Sequence, residues 1–189
     1  MIGTQMVAKG LDFPNVGLVG VLSADQALYG DDYRAYETAF SLLTQVIGRA
    51  GRRDAESLAV IQTMTPENPV IALAAAQDYP AFFETEIESR YRMKYPPFSD
   101  LFQIGFVGER ESAVKQAADD FLSMLHTAGT TTYQDVPLIA LDPTRATVAK
   151  AAGKYRYRLL LKGVSRARTR EMLGALLTAF GKDPTVISA

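Results

Sequence analysis

Hydrophobic residues in the first third of the chain form two continuous runs with one periodic stretch between them. Val16–Leu22 and Leu58–Met64 are nearly unbroken apolar runs with several β-branched residues, which is typical of strands buried on both faces of a parallel sheet. After a polar turn over Ser23–Asp32, residues 33 to about 48 place apolar side chains at helical spacing. The stripe of that helix is formed by Tyr36, Phe40, Leu43 and Ile47. The order of strand, helix and strand predicts an α/β fold.

Two further helical patterns follow and then stop at a pair of prolines. Asn68–Gln77 is rich in alanine, and Pro80–Arg92 carries its charges on one side. Tyr95–Phe98 contains Pro96 and Pro97 and cannot continue a helix, because proline lacks an N–H donor and restricts the residue before it. We therefore expect residues 67–98 to be a helical connector that ends at a domain boundary.

The remaining residues, 99–189, alternate in a way that predicts an α+β domain. The predicted elements are the strand Leu101–Val107, the helix Glu111–His126, the short strands Val136–Leu141 and Ala146–Lys150, the longer strand Lys154–Lys162, a helix capped by Ser165, and a last strand at Thr185–Ser188. The last helix faces inward through Met172, Leu173, Leu176, Leu177 and Phe180. The order β-α-β-β-α-β is that of a ferredoxin-like fold.

Composition excludes several classes of protein. The chain has 189 residues, 48% hydrophobic and 22% charged, as in ordinary soluble proteins. No apolar run reaches about 18 residues, and no signal peptide opens the sequence, so a membrane protein is not expected. The absence of cysteine excludes disulfides and thiolate metal sites and fits a cytoplasmic protein. We expect no metal site in this chain.

Charge is distributed unevenly along the sequence. Residues 140–189 contain ten lysines and arginines and three acidic residues, a net charge of +7, whereas residues 1–139 have a net charge of −8. Such a split indicates that the C-terminal quarter faces a polyanion. Strand alternation places Lys154, Arg156, Arg158 and Lys162 on one face, where they could line DNA phosphates. The alternative is a solubilising sheet face or a lysine-guarded edge.

Gln45–Arg52 has a composition suited to phosphate. Arg49 and Arg52 are three residues apart and share one side of a helix end, and Gly48 and Gly51 allow close approach of a partner surface. A guanidinium group binds phosphate through two parallel hydrogen bonds. The alternative is a basic helix C-terminus in which glycine supplies the cap.

Several stretches taken together match known helicase motifs. They are Ile2–Pro14, an apolar strand that ends in Ala24–Asp25, and Gln45-x-x-Gly48-Arg49-Ala50-Gly51-Arg52. In this order they resemble motifs V and VI in the second RecA-like lobe of the superfamily 2 helicases. Four particular blocks, Thr4–Gly10, Leu28–Glu37, Thr65–Pro69 and Tyr95–Phe98, resemble the primosomal protein N′ (PriA) family. The resemblance covers residues 1 to about 100 in motifs and the rest more loosely.

This resemblance implies an ATP-dependent 3′-to-5′ DNA helicase that restarts stalled replication forks. Residues 1–66 would be part of the second RecA-like lobe, a parallel α/β domain, and residues 99–189 a domain that binds DNA and partner proteins. The implied partners are forked or single-stranded DNA, single-stranded-DNA-binding protein and other primosome proteins. The implied location is cytoplasmic and nucleoid-associated, with no membrane.

The resemblance also implies roles for individual residues. Arg49 and Arg52 would be arginine fingers at the γ-phosphate of ATP, and Gln45 would order the nucleotide or the attacking water. Gly10 and Asp12 would contact the nucleotide and couple it to DNA. Thr4 and Gln5 match positions that contact the DNA backbone. The other candidate DNA contacts are Lys9 in the same loop and, from the charge pattern of the late strand, Lys154, Arg156 and Arg158.

Other features of the family's pattern are missing from this sequence. It has no Gly-x-x-x-x-Gly-Lys-[Ser/Thr] phosphate loop, no acidic magnesium box and none of the family's zinc-binding cysteines. We therefore expect a C-terminal fragment that binds no cofactor and hydrolyses no ATP alone, with ATP, magnesium and zinc held by the full-length protein. Two alternatives stay open: a free-standing nucleic-acid-binding module without ATPase activity, and another superfamily 2 DNA translocase.

Overall fold

The computed structural model describes residue 3, residues 16–50 and residues 58–182, with the backbone alone at residues 49 and 50. The chain divides into two compact units, residues 1–89 and residues 90–189, each with its own hydrophobic core. Among the described residues, the first unit has a parallel pair of strands and the second an antiparallel sheet, which confirms a mixed α/β protein.

The first unit combines a parallel β-pair with helices. Its elements are strand β1 (Leu18–Val21), helices α1 (Asp25–Leu28) and α2 (Ala35–Ala50), strand β2 (Leu58–Ile61), and helices α3 (Pro69–Ala75) and α4 (Tyr79–Met93), the last of which continues into the second unit. Helix α3 begins at Pro69. Proline is favoured in the first turn of a helix because it has no N–H group that would need a hydrogen-bond partner there. The Asn68 side chain caps it by accepting a hydrogen bond from the Val70 N–H at 3.0 Å.

Strands β1 and β2 are covered on one face within the described residues. Val21 and Ile61 pack against the helical core, where the rings of Phe40 and Phe82 stack with centroids 4.2 Å apart. On the other face, Leu18 keeps 65% of its surface exposed, and Leu58 and Val60 are also exposed. The prediction of strands buried on both faces is therefore wrong for this pair, because α2 packs on only one side of it.

Two details of the first helical region also differ from the prediction. Tyr36 is predicted to lie on the buried stripe of α2, but its side chain is exposed. The buried residues of this helix begin one turn later, at Ala39 and Phe40. The predicted polar turn contains helix α1, whose Leu28 is fully buried. A helix of four residues is too short to show a helical periodicity, so sequence reasoning missed it.

The second unit is built on an antiparallel sheet with helices on one face. Its elements are strand β3 (Asp100–Gly108), helix α5 (Glu111–Thr130), strands β4 (Leu138–Ala140), β5 (Thr144–Ala151) and β6 (Lys154–Gly163), and helix α6 (Ala167–Phe180). β6 is the central strand, paired with β3 along one edge and with β4 and then β5 along the other. Leu159 and Leu161 on β6 are fully buried against Phe121 of α5 and Met172 of α6.

The described elements of this unit run β-α-β-β-β-α, which matches each element predicted over residues 101–180 but has one strand more between the helices than the predicted β-α-β-β-α-β order. The predicted last strand, Thr185–Ser188, lies outside the described residues, so the ferredoxin-like topology stays a prediction. The RecA-like lobe and the boundaries at residues 66 and 98 stay predictions as well, although the division between the two units falls within α4.

Two predictions about α6 are wrong. Ser165 does not cap the helix, since Arg166 occupies that position and the Ser165 N–H donates to the Asp100 Oδ2 at 2.7 Å. Leu177 is 46% exposed, whereas Leu176 beside it is 8% exposed. The helix is only partly covered by the sheet and α5, so the buried stripe is narrower than its apolar sequence indicates.

Leu176 and Leu177 offer a matched test of this packing. We expect Leu176→Ala to lower the free energy of unfolding by about 2–5 kcal/mol, because it removes buried methyl groups and leaves a cavity. Leu177→Ala should cost less than about 1 kcal/mol, since a half-exposed side chain loses less burial. Urea unfolding followed by circular dichroism measures both, and equal losses would contradict the orientation of α6.

Candidate nucleic-acid interface

Lys154, Arg156 and Arg158 lie on the face of the sheet opposite the helices, and we call them the basic strip. Strand alternation points these three outward and turns Tyr155 and Tyr157 toward the core, as the sequence predicts. Lys154 and Arg156 are exposed and Arg158 is partly buried. Because β6 is paired on both edges, the backbone beneath these side chains is fixed.

The residues paired with the basic strip are small or apolar. Gly105 of β3 lies opposite Arg158, and a Cβ added there would meet no atom within 4 Å. Val107 lies opposite Arg156 and is itself exposed. On the other edge, Thr144 pairs with Arg158 and its Oγ1 lies 3.5 Å from the Arg158 Nε. None of these residues paired in register with the basic strip is acidic.

A tight hairpin carries the start of the basic strip. Ala152 and Gly153 connect β5 to β6 with φ values of 49° and 78°, the left-handed conformation of a two-residue hairpin turn. Lys150, at the end of β5, donates to the Tyr155 hydroxyl at 3.1 Å and lies over that ring. Lys150 pairs directly with Tyr155 and therefore lies on the face opposite to the basic strip.

Lys162 is buried, so the prediction that it lies on the exposed face with the other three cations is wrong. Only 8% of its surface is exposed. Its Nζ donates to the Met93 carbonyl oxygen at 2.7 Å and lies 3.6 Å from the centroid of the Tyr95 ring, within the same unit. The segment that follows α4 thus covers this end of the outer sheet face, which strand alternation alone could not reveal.

Other cations of the second unit hold the fold together. Arg145 and the Tyr157 hydroxyl both donate to the Glu111 Oε1, which joins β5 and β6 to the start of α5. Its hydrogen bond to Glu111 raises the pKa of Arg145. Arg168 contacts Glu171 and Asp135 and lies over the Tyr133 ring, with its pKa raised mainly by the hydrogen bond to Glu171.

Of the predicted ATPase residues, Gln45 and the backbone of Arg49 lie within the described part of the chain. They are four residues apart on α2, so their backbone positions share one side of the helix. The Gln45 Nε2 lies 3.4 Å from the Ser41 Oγ, beside a pocket of about 300 Å³. Asp32, Arg34 and Glu37 also line this pocket, and Arg34 forms an ion pair with Asp32 at 3.5 Å.

The remaining predicted positions cannot be located. Thr4, Gln5, Lys9, Gly10, Asp12 and Arg52 lie outside the described residues. Their roles stay predictions.

Sequence reasoning missed a polar cluster at the carboxyl ends of β1 and β2. The Asp25 carboxylate accepts hydrogen bonds from the Met64 N–H, at 3.0 Å to Oδ2, and from the hydroxyls of Thr63 and Thr65. The backbone hydrogen bond from Met64 is the main cause that lowers the pKa of Asp25. The signal was present, since an aspartate follows one strand and a Thr-x-Thr sequence follows the next, and parallel strands end at the same edge.

Two other kinds of site are absent from the described residues. No group of three His, Asp or Glu side chains there could share a metal ion. No described helix is long and apolar enough to cross a membrane.

Comparisons with known proteins show one consistent match. A family model described as the primosomal protein N C-terminal domain matches residues 91–185. The replication restart protein PriA of Bacillus subtilis (strain 168) is 36% identical over 183 residues, 97% of this chain and 22% of that protein. The PriA of Treponema pallidum (strain Nichols) is 36% identical over 180 residues, 95% of this chain and 27% of that protein. The PriA of Chlamydia trachomatis serovar D is 50% identical over 109 residues, 58% of this chain and 14% of that protein. The chain thus spans about a quarter or less of the length of these relatives.

The buried position of Lys162 leads to a stability prediction. Lys162→Met should lower the free energy of unfolding by about 1–3 kcal/mol, because it leaves the Met93 carbonyl without its donor and removes the cation from the Tyr95 ring. The control is Lys154→Met on the same strand, which should stay within about 0.5 kcal/mol of the unsubstituted chain. Thermal unfolding checks both, and a neutral Lys162→Met would contradict the buried contact.

Proposed function

The chain belongs to the family of primosomal protein N C-terminal domains, and from that premise we propose that it is the C-terminal part of an ATP-dependent 3′-to-5′ DNA helicase that restarts stalled replication forks. Support comes from the relatives, whose name is replication restart protein PriA, and from the motif V and VI residues of the sequence. In this proposal the first unit completes a RecA-like lobe and the second is a ferredoxin-like domain.

The basic strip is the observation that carries the DNA-binding part of this proposal. Lys154, Arg156 and Arg158 are held along one strand, and the described residues paired with them are uncharged. Cations in such a row bind phosphates without reading base edges. A helicase needs this kind of contact, since it moves along DNA of any sequence. The proposed partners are forked or single-stranded DNA, single-stranded-DNA-binding protein and other primosome proteins, in the cytoplasm and at the nucleoid.

The ATPase residues form the second part of the proposal. Arg49 and Arg52 supply positive charge to the γ-phosphate of an ATP held elsewhere in the full-length protein, and Gln45 orders the nucleotide or water beside them. Gly10 and Asp12 couple the nucleotide to DNA, and Thr4, Gln5 and Lys9 contact the DNA backbone. The chain itself lacks a phosphate loop, so ATP and magnesium belong to the full-length protein, as does zinc.

One structural observation favours a second candidate. The unit of residues 90–189 has its own core and carries the basic strip, as a nucleic-acid-binding module without ATPase activity would. The presence or absence of a phosphate loop upstream in the gene distinguishes this candidate from the helicase.

The basic strip predicts how DNA binding depends on salt. Each phosphate contact by a cation changes the slope of log affinity against log salt by about 0.7–0.9. Replacing Lys154, Arg156 and Arg158 together with glutamine should flatten the slope by about one unit per lost contact. The control is Lys115→Gln, since Lys115 lies on α5, on the covered side of the sheet, 2.7 Å from Asp119. Fluorescence anisotropy with an oligonucleotide measures the slopes, and an unchanged slope in the folded triple variant would remove the basic strip from the interface.

The arginine fingers predict a loss of ATP turnover in the full-length helicase that contains this chain. Arg49→Ala or Arg52→Ala should lower turnover by orders of magnitude, within the roughly 10³–10⁵-fold range of arginine fingers. DNA affinity should change much less. Arg53→Ala is the matched control, because Arg53 follows Arg52 directly but lies outside the Gln-x-x-Gly-Arg-x-x-Arg pattern. Turnover near wild type in both variants would refute the motif VI assignment.

A further inference from the structure

Two exposed aromatic rings lie together at the start of the second unit. Tyr91 is 57% exposed and Phe98 is 42% exposed. Their ring centroids are 5.2 Å apart at an interplanar angle of 77°, and we call this pair the aromatic platform. The Lys94 Nζ lies 4.6 Å from the centroid of Tyr91. Two exposed rings in contact form a small apolar patch on the surface of this unit.

The fold holds the aromatic platform in place. The Tyr95 N–H donates to the Arg90 carbonyl at 2.9 Å, which closes the end of α4, and the Phe98 N–H donates to the Tyr95 carbonyl at 3.0 Å. Lys162 then fixes the same segment to β6 through Met93 and Tyr95. The rings are therefore ordered before any ligand arrives, which lowers the entropy cost of binding.

The charges around the aromatic platform identify the chemistry of a ligand. Residues 90–98 contain Arg90, Arg92 and Lys94, and Glu86 and Glu88 lie one turn before the two arginines on the same helix, so the local net charge is +1. Lys162, which lies against the Tyr95 ring, is four residues from Arg158 of the basic strip on the same strand and face, about 13 Å along β6. Aromatic rings interleaved with cations are the arrangement that binds single-stranded nucleic acid, whose bases stack while its phosphates follow the cations.

We propose that the aromatic platform is a stacking site for unpaired bases of single-stranded DNA whose backbone continues along the basic strip. This inference rests on the proposed DNA-binding function and adds a site to it. Stacking needs only the flat face of a base, so the site accepts any sequence, as a translocating protein requires. It also selects single strands, because the bases of a duplex are stacked on one another and have no free face for the protein.

A tryptophan reporter tests stacking directly, because the chain has no tryptophan of its own. Tyr91→Trp in the full chain is titrated with oligo(dT) long enough for a site of about 4–16 nucleotides, and with an abasic oligonucleotide of the same length. The matched control is Tyr79→Trp, since Tyr79 lies on the same helix and is 59% exposed, but its neighbours are Asp78 and Pro80. We expect oligo(dT) to quench the fluorescence of the Tyr91→Trp variant and the abasic strand to bind it with little quenching. The fluorescence of the Tyr79→Trp variant should respond to neither oligonucleotide.

Affinity measurements on alanine variants complete the test. Tyr91→Ala and Phe98→Ala should each weaken oligo(dT) binding by roughly 5- to 100-fold, without changing the slope of affinity against salt, because stacking releases no counterions. Tyr91→Phe should bind like the unsubstituted chain, since it keeps the ring. Circular dichroism establishes that the variants are folded.

The outcomes separate this inference from the function on which it rests. If the alanine variants bind as tightly as the unsubstituted chain while the basic-strip variant loses its salt slope, the stacking site is refuted and the DNA interface stands. If affinity falls but the abasic strand quenches as strongly as oligo(dT), stacking is refuted as well. If the chain binds no single-stranded DNA, the proposed function and the stacking site both fail.

Discussion

Hydrogen bonding along both edges of β6 is the constraint on which the second unit depends. β3 pairs with its whole length, while β4 and β5 share the opposite edge. This pairing fixes the alternation of side chains, so that Leu159 and Leu161 enter the core beneath α5 and α6. The same alternation fixes Arg156 and Arg158 on the outer face, about 7 Å apart. Core packing and the geometry of the basic strip therefore have one cause.

The outer face of this sheet is divided by the segment that follows α4. Near Gly163 it is covered, since Lys162 is buried beneath Tyr95 and bonded to the Met93 carbonyl. Toward the hairpin it is open, and there Lys154 and Arg156 are exposed. The covered end also orders the exposed rings of Tyr91 and Phe98. One buried lysine thus anchors the segment that covers this end of the face, while Lys154 and Arg156 near the hairpin stay exposed.

The residues matched by the family model are nearly the same as those of the second compact unit. The family model covers residues 91–185 and the second unit residues 90–189, so the segment that carries the family signal also has a core of its own. Apolar side chains of the first unit, such as Leu18 and Leu58, lie on a strand face that its described helices leave exposed.

The sequence by itself determined the class of each unit, most strands and helices, and the two-faced character of β6, because these follow from periodicity over many residues. It also determined the family, through motifs whose residues stand in a fixed order. Tertiary structure alone decided that Lys162 is buried while Arg156 on the same face is not, that Leu176 packs while Leu177 does not, and that Asp25 joins Thr63. Each depends on which distant segment covers a given side chain, and local periodicity contains no information about that.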